Sequence, residues 1–362
     1  MQFTSIFHRM MNHIWYGESH LRFLLIPFAC VYSFILRIRA LIVKRYPRWQ
    51  APVPIIVVGN LTVGGVGKTP LVVAIANYYT KRGFKVGIVS RGYGAQGCRF
   101  PYQVTSEDLA IKVGDEPLLL STLTNCPVMI APKRVLAVKE LLKNHHLDLI
   151  ISDDGLQHQA LTRQVEIVVI DAVRAFGNGL LLPAGPLREP VTRLKSVDFI
   201  VLNCRFGLGA TNTIESKQVC NKIENHAICE VMGSNAKSIL YKMQFQMRSL
   251  KNIKSGKEVK IDVLKNGIFN AVAGIGNPEL FFMNLKQLGL YNFNPLVFPD
   301  HYVYKKSDFN NIHGPLVMTE KDAVKCMSFA MSDWYSLGID AYLDKEFWNQ
   351  LTDMTLVQVD KQ

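Results

Sequence analysis

With 362 residues, 49% of them hydrophobic, and a formal net charge of +12, the chain is long enough for two globular bodies and favours anionic partners: nucleic acid, acidic lipid or a phosphorylated substrate. Its seven cysteines include no Cys-x-x-Cys pair, which speaks against a disulfide framework and a zinc site and fits free thiols in a reducing compartment.

Residues 1–50 hold seven of the basic side chains (Arg9, Arg22, Arg37, Arg39, Lys44, Arg45 and Arg48) and one acid, Glu18. Phe23 to Leu36 is an uncharged run of 14 residues broken by Pro27. That is shorter than the roughly 20 residues a spanning helix needs, and it lacks a secretory cleavage site. Beyond it, Arg37, Arg39, Lys44 and Arg45 alternate with Ile38, Leu41, Ile42 and Val43. Two readings fit this pattern: a basic amphipathic helix lying on an anionic membrane surface, or a core-packing helix with a solvated basic face.

The apolar run Ile55 to Val58 reads as a buried strand, and Leu71 to Tyr79 as a helix. Between them stands Gly59-Asn60-Leu61-Thr62-Val63-Gly64-Gly65-Val66-Gly67-Lys68-Thr69-Pro70. Strand, glycine-rich turn, Gly-Lys-Thr and helix form a phosphate cradle, with backbone N–H groups and the helix N-terminus converging on the anion. Thr62 to Thr69 are the predicted nucleotide-binding residues; Lys68 reaches the β- and γ-phosphates and Thr69 ligates Mg²⁺. The usual pattern has glycine where Thr62 stands.

Further buried strands are predicted at Lys85–Ser90, Pro127–Ile130, Leu147–Ser152, Glu166–Ile170 and Asp198–Asn203, alternating with helices from Leu118 and over Arg134–Leu142. This pattern predicts a P-loop-type α/β fold, a mostly parallel sheet covered by helices over residues 51–205. Ligands of such sheets bind at the carboxyl ends of strands, where Arg91, Asp153 and Asp171 fall. From about 206 to 362 the pattern changes, and a second, smaller α/β lobe is expected. Its predicted elements are antiparallel strands near 236–247, a strand at Phe269–Ala273, a helix at Glu279–Leu288, and strands at Pro295–Phe298 and Pro315–Thr319.

Asp153-Asp154-Gly155 follows a buried strand and is a candidate Mg²⁺ site, with a plain Asp-Gly turn as the alternative. Asp115, before a helix, is either a cap or a general base. His301 ends a strand region of the second lobe, a suggestive place for an imidazole. Arg188 is either a phosphate clamp or half of a surface ion pair with Glu189.

Together the segments GNLTVGGVGKTP, SRGYG, VGDEP, DDGLQH, GNGLLLPAGPLREP, AGIGNPELFF, FPDHY and TEKDAVK resemble the tetraacyldisaccharide 4'-kinase family, the lipid A kinases of Gram-negative bacteria. They run in the family's order from residue 59 to residue 325. The resemblance implies ATP-dependent phosphorylation of the 4'-hydroxyl of a tetraacylated glucosamine disaccharide 1-phosphate, with Mg²⁺, at the cytoplasmic face of the inner membrane. It implies no nucleic acid and no obligate protein partner, and it makes residues 1–50 a membrane-associating segment. Carried onto the matching motifs, Lys68 and Thr69 hold triphosphate and metal, and Asp153 and Asp154 belong to the metal and phosphate region. Asp115 is then the base and His301 its partner. Arg188, Glu189 and Arg91 fall near the reacting groups, and Tyr93, Gln157 and His158 lie in motifs that point to the substrate. A threonine at position 62 looks normal for this family.

Two rival classes fit the sequence less well. A membrane-associated positioning ATPase carries a signature lysine where this chain has Val63. A nucleic-acid-binding protein draws only on the net charge; no zinc, helix-turn-helix or aromatic RNA-binding motif supports it.

Overall fold

The computed structural model describes residues 10–17, 19–206, 238–265 and 267–356; the expectations for residues 1–9 and 207–237 lie outside that range. After a short helix at 10–16 comes α1 (Arg22–Arg45), then β1 (Ile55–Gly59), α2 (Lys68–Thr80), β2 (Val86–Ser90), β3 (Tyr102–Val104), α3 (Asp115–Leu123), β4 (Val128–Ile130), α4 (Arg134–Asn144), β5 (Leu149–Asp153), β6 (Val165–Asp171) and β7 (Phe199–Phe206). The second half holds β8 (Ile239–Asn252), β9 (Glu258–Val259), β10 (Phe269–Ala273), α5 (Pro278–Gln287), β11 (Phe293–Val297), β12 (Leu316–Thr319), α6 (Glu320–Cys326), β13 (Trp334–Leu343) and α7 (Lys345–Leu356).

One mixed sheet runs through the molecule in the order β11-β10-β12-β13-β8-β7-β6-β1-β5-β2-β4-β3, with β9 paired to β8. Its strands β1, β2 and β5 are buried at every position, as expected of a sheet covered on both faces. The block β4-β2-β5-β1-β6-β7-β8 is parallel throughout, and so is β11-β10-β12-β13. The blocks meet at the antiparallel pair β8/β13. Strand β8 joins them: Ile239–Phe245 pair with β7, and Met243–Asn252 pair with β13. The antiparallel character expected near 236–247 is therefore only half present, because the first half of β8 is parallel to its neighbour.

The elements of greatest consequence for the site have local causes. Helix α2 begins at the residue after Gly67, whose φ of 93° ends the loop in a conformation that glycine adopts without strain. Its apolar face is held by α7, where the Tyr78 and Trp348 rings stack at 4.4 Å and the Tyr79 hydroxyl donates to Thr355 at 3.1 Å. In α5, Pro278 sits in the first turn, where its missing N–H leaves no hydrogen bond unmade.

Helix α1 is longer than the uncharged run suggested. It spans 24 residues, about 36 Å, and is long and apolar enough to cross a bilayer by length and composition. Its inner side rests on the protein, with Ala29 buried, the Tyr32 hydroxyl donating to the Arg188 carbonyl at 3.0 Å and Arg39 donating to the Gln157 carbonyl at 2.9 Å. Its outer side presents Leu24, Phe28, Val31, Ile35, Ile38 and Ile42, all exposed, in a stripe of helical spacing.

Candidate active site

The carboxyl ends of the central strands open into one cavity of about 910 Å³. Its floor is the loop from Val63 to Gly67, held by the preceding residues from Asn60. Buried Asn60 organises that loop: its Nδ2 donates to the Thr62 carbonyl at 2.6 Å, and its Oδ1 accepts from Lys68 Nζ at 3.0 Å. The loop is laced to the Leu180–Glu189 segment by Val63 N–H to the Pro186 carbonyl at 2.8 Å and Arg188 N–H to the Leu61 carbonyl at 2.6 Å. Thr62 is paired with Leu187 in an antiparallel bridge and is buried. It serves this lacing and does not form the cavity wall, whereas Val63 to Thr69 do line it. Extended pairing suits a β-branched residue, which is a physical reason for threonine in the place of the usual glycine.

Asp153 and Asp154 close β5 beside the cradle. Asp154 lies 3.4 Å from Lys68 Nζ and takes Arg188 Nη1 at 3.0 and 3.3 Å. Its φ of 46° is unusual for a non-glycine residue and is held by these contacts. Burial pushes its carboxyl upward, but Lys68 and Arg188 outweigh that and hold it below the ordinary value. Asp153 is buried; its Oδ2 accepts from Ser90 at 3.3 Å, and its Oδ1 has no hydrogen-bond partner among the described residues. Burial, with the charges of Glu116 and Asp154, raises its pKa. A buried carboxylate oxygen without a donor, next to the cradle and facing the same cavity as Thr69, suits a hard cation. No group of three or more His, Cys, Asp or Glu suited to a metal occurs among the described residues.

The second half of the sheet supplies the opposite wall. Asp115 opens α3, is buried, and accepts from the Glu116 N–H at 3.0 Å; its other oxygen lies 2.8 Å from His301 Nδ1. The pair is separated by 186 residues in sequence. Burial drives the Asp115 carboxyl up, yet the His301 hydrogen bond and Lys321 overcome it and hold the group at about 2. His301 is correspondingly raised, chiefly by the Asp115 hydrogen bond and against burial and the Lys321 charge. His301 also adopts a positive φ, 59°, and its ring lies 5.5 Å from that of Tyr93. Because Nδ1–H donates to the carboxylate, the neutral imidazole presents Nε2 as an acceptor. His301 lines the cavity, and Asp115 stands behind it.

Arg91, Tyr93, Gln157 and His158 all line the same cavity. Gln157 donates to the Asn60 carbonyl at 3.2 Å. Burial, followed by the charges of Arg134, Arg163 and Arg39, lowers His158 to about 4 and keeps it neutral. Arg188 is on the wall, but Glu189 is not: its carboxylate lies 3.4 Å from Arg193, which binds Glu166 at 2.6 Å, so it belongs to a buried ion network behind the wall. Glu189 thus stands behind the wall rather than on it.

Three contributors escaped the sequence reading. Asn60 lies before the predicted nucleotide-binding residues Thr62 to Thr69 and was not singled out. Arg134, also buried, donates to the Asp153 and Asp154 carbonyls at 3.2 and 3.4 Å. Lys321, from the TEKDAVK segment, lies 3.2 Å from Asp300, 3.5 Å from Glu116, 3.7 Å from Asp115 and 3.5 Å from His301 Nε2. Burial works against its charge, but Glu116, Asp115 and Asp300 raise its pKa and keep it an ammonium. Its signal was available: a lysine in a family-like motif, at the end of a predicted strand.

The family profile described as tetraacyldisaccharide-1-P 4'-kinase matches residues 21–356. A tetraacyldisaccharide 4'-kinase of Legionella pneumophila (strain Corby) is 46% identical over 338 residues, covering 93% of this chain and 95% of the relative. A tetraacyldisaccharide 4'-kinase of Hamiltonella defensa is 41% identical, covering 92% and 93%. Among solved structures, the "apo" form of LpxK from Aquifex aeolicus in complex with ATP superposes with a TM-score of 0.73 at 27% identity, over 92% of this chain and 98% of that one. With a phosphate cradle, two strand-end aspartates and a His301 imidazole bonded to buried Asp115 at one cavity, and with relatives aligned over nearly its whole length, this chain belongs to the tetraacyldisaccharide 4'-kinase family.

Proposed function

We propose that the protein transfers the γ-phosphoryl group of ATP to the 4'-hydroxyl of a tetraacylated glucosamine disaccharide 1-phosphate, the kinase step of lipid A synthesis. The observation that carries this reading is that one cavity holds both the cradle residues Gly64–Thr69 and the His301 imidazole braced by Asp115. In the proposed step the sugar oxygen forms a bond to the γ-phosphorus, the bond to the β-phosphate oxygen breaks, and ADP leaves. The hydroxyl proton passes to His301 Nε2, with Asp115 holding the ring and stabilising the imidazolium. Asp115 is thus a positioning residue behind the acceptor, a division of roles favoured by its burial. Lys68 and Arg188 spread the charge that develops on the phosphoryl oxygens. Thr69 and Asp153 would hold Mg²⁺, which when bound neutralises the β- and γ-oxygens. Incubating the purified protein with labelled ATP, Mg²⁺ and the disaccharide lipid should yield a doubly phosphorylated product. Hydrolysis of ATP with no label in the lipid would instead favour the positioning-ATPase reading.

The same proposal places the protein peripherally on the cytoplasmic face of the inner membrane. An acylated substrate leaves a bilayer only at about 0.8 kcal/mol per CH₂, so the cavity must be brought to the surface. Helix α1 is built to bring it there, with an apolar stripe outward and an inner side bonded through Tyr32 and Arg39 to the cavity rim. Those two bonds favour a helix lying along the interface. Replacing exposed Phe28 and Phe34 by Asp should reduce co-sedimentation with anionic vesicles at least about tenfold, because each buried Phe contributes roughly 1.5–3 kcal/mol. Binding of soluble nucleotide should be unaffected. Unchanged sedimentation would exclude this docking surface.

A further inference from the structure

Lys321 is the least expected charge at the cavity. It stands in the first turn of α6, where the backbone N–H groups of a helix disfavour a cation, and only 19% of its side chain is exposed, which disfavours the charge again. Its neighbour fixes its place. Asp322 is fully buried, and its Oδ2 accepts from the Gly274 N–H after β10 and from the Thr319 hydroxyl, both at 2.8 Å. The start of α6 is thereby tied to the sheet, and Lys321 comes to line the cavity. There its Nζ meets Asp115 and Glu116 of α3 at 3.7 and 3.5 Å and Asp300 of the second half at 3.2 Å. The fourth neighbour is His301 Nε2 at 3.5 Å, across the ring from the nitrogen bonded to Asp115. The imidazole is clasped between an anion at Nδ1 and a cation at Nε2.

We propose that Lys321 is a positioning residue for the proton step: its ammonium, fixed by three carboxylates, is the counterweight to Asp115 that keeps His301 Nε2 unprotonated and ready to accept from the sugar hydroxyl. This role rests on the kinase reading above, in which that nitrogen takes the proton. The need for a counterweight follows from Asp115. A carboxylate at Nδ1 makes the imidazole a stronger base, and a ring already protonated at the working pH cannot accept. The other groups around the ring do not supply the balance. Asp300 Oδ2, 3.9 Å from Nε2, adds to the pull of Asp115. Tyr93, 5.5 Å away ring to ring, is a neutral phenol neighbour from the loop after β2. Glu116 is paired with Lys321, and Lys325, further along α6, lies 2.8 Å from Asp322. Of these groups Lys321 is the cation at the ring itself. Its charge and burial both act against protonation of His301, opposing Asp115 and Asp300. After the transfer, two cations 3.5 Å apart repel, which favours release of the captured proton to solvent and resets the ring. A salt-bridge staple between the halves of the sheet is the other role that three carboxylates suggest; it requires no charge beside Nε2 and leaves the titration of the ring untouched.

The test reads the titration of His301 by NMR on the nucleotide-free full chain, with His301→Ala assigning the signal, alongside the pH profile of kcat. In Lys321→Met the NMR midpoint and the acid limb of kcat should both move to higher pH by about 1 pH unit or more, because the like charge is gone and the carboxylates remain. Well below the limb this is about a tenfold loss of rate beyond any loss at the plateau. Lys321→Arg, which keeps the charge, should return both midpoints to within about 0.3 pH unit of the wild type. A Lys321→Met profile lowered by one factor at every pH, with both midpoints unmoved, is the signature of a staple and overturns the assignment. Should Lys321→Met fail to fold, Asp115→Asn carries the decision. With Lys321 in place and the Asp115 charge removed, the His301 midpoint should fall below the ordinary 6.5, and a midpoint at or above that value overturns the assignment. The NMR titration needs no turnover. A shifted midpoint with no phosphorylated lipid formed would therefore remove the kinase reading and leave the link between Lys321 and His301 standing, whereas product formed with an unmoved midpoint would remove the link alone.

Discussion

Replacing His301 by Ala should lower kcat by about 10²–10⁴ while leaving the affinity for ATP nearly unchanged, the expected loss when a proton acceptor is removed from a phosphoryl transfer. The pH profile makes the prediction sharper. If His301 Nε2 takes the proton, the imidazole must be neutral, so the rate should climb as pH rises through its pKa. That value lies above the ordinary 6.5, because the Asp115 hydrogen bond, the largest influence, stabilises the protonated ring. Asp115, held at about 2, stays ionised across the whole range and contributes no limb of its own. Asp115→Asn should therefore do two things: lower kcat, and move the acid limb to lower pH, since the group that raises His301 has lost its charge. If Asp115 were itself the acceptor, the wild-type rate would be flat from about pH 5 upward, and His301→Ala, by removing the hydrogen bond that holds the carboxyl down, would move the Asp115 limb to higher pH. The loss for Asp115→Asn and His301→Ala combined should be close to that of the worse single variant, because the two groups act as one unit.

The proposed division of labour was not readable from sequence, and the reason is geometric. The motifs carrying Asp115 and His301 were visible, but which of two paired groups faces the cavity depends on burial that only the fold decides. The parallel strands of the first half were legible nearly residue for residue, because fully buried parallel strands are plain apolar runs; β2, β5 and β6 differ from expectation by one or two residues at the ends, while the short antiparallel edge strand β3, only partly buried, went unread. Strand β13 and helix α7 went unread. Trp334–Leu343 is buried irregularly, as its pairing with β8 shifts register between Leu337 and Ile339, and no simple alternation survives that shift. The length of α1 is hidden for a related reason: the uncharged run stops at Leu36, whereas the helix continues through Arg37 and Arg39 to Arg45. Glu189 shows why a motif alone does not place a side chain: its neighbour Arg188 lines the cavity, whereas Glu189 lies behind the wall against Arg193.

Gly67→Ala should abolish measurable nucleotide binding, with a loss of at least about 100-fold, and lower the melting temperature, whereas Gly65→Ala should leave the melting temperature as it is. The contrast comes from what each added methyl would meet. At Gly67 the φ of 93° already disfavours any side chain by roughly 1–2 kcal/mol. The new Cβ would also stand 2.5 Å from Asn203 Nδ2 and 2.7 Å from the Phe245 ring. Asn203 is not free to yield: its Nδ2 donates to the Val66 carbonyl at 2.8 Å, in the peptide preceding Gly67. Relief of the clash must therefore break the bond that sets the loop's register, and the N–H groups of the cradle turn away from the phosphates. At Gly64 the φ of 109° is strained for a side chain but nothing lies within 4 Å, so Gly64→Ala should cost stability on the order of 1–2 kcal/mol without steric disruption. At Gly65 the surroundings are open and φ is not in the left-handed region, so stability should hold. The ordering Gly67, Gly64, Gly65 in melting temperature tests the geometry independently of any turnover assay. It also tests a connection between the halves of the molecule. Phe245 belongs to β8, the strand that pairs with β7 on one side and β13 on the other, so the last glycine of the phosphate loop is seated against the element that joins the two parallel blocks. Phe245→Ala, which removes the ring without touching the loop, should then partly rescue Gly67→Ala in nucleotide affinity; an additive loss in the double variant would mean that β8 does not govern the loop.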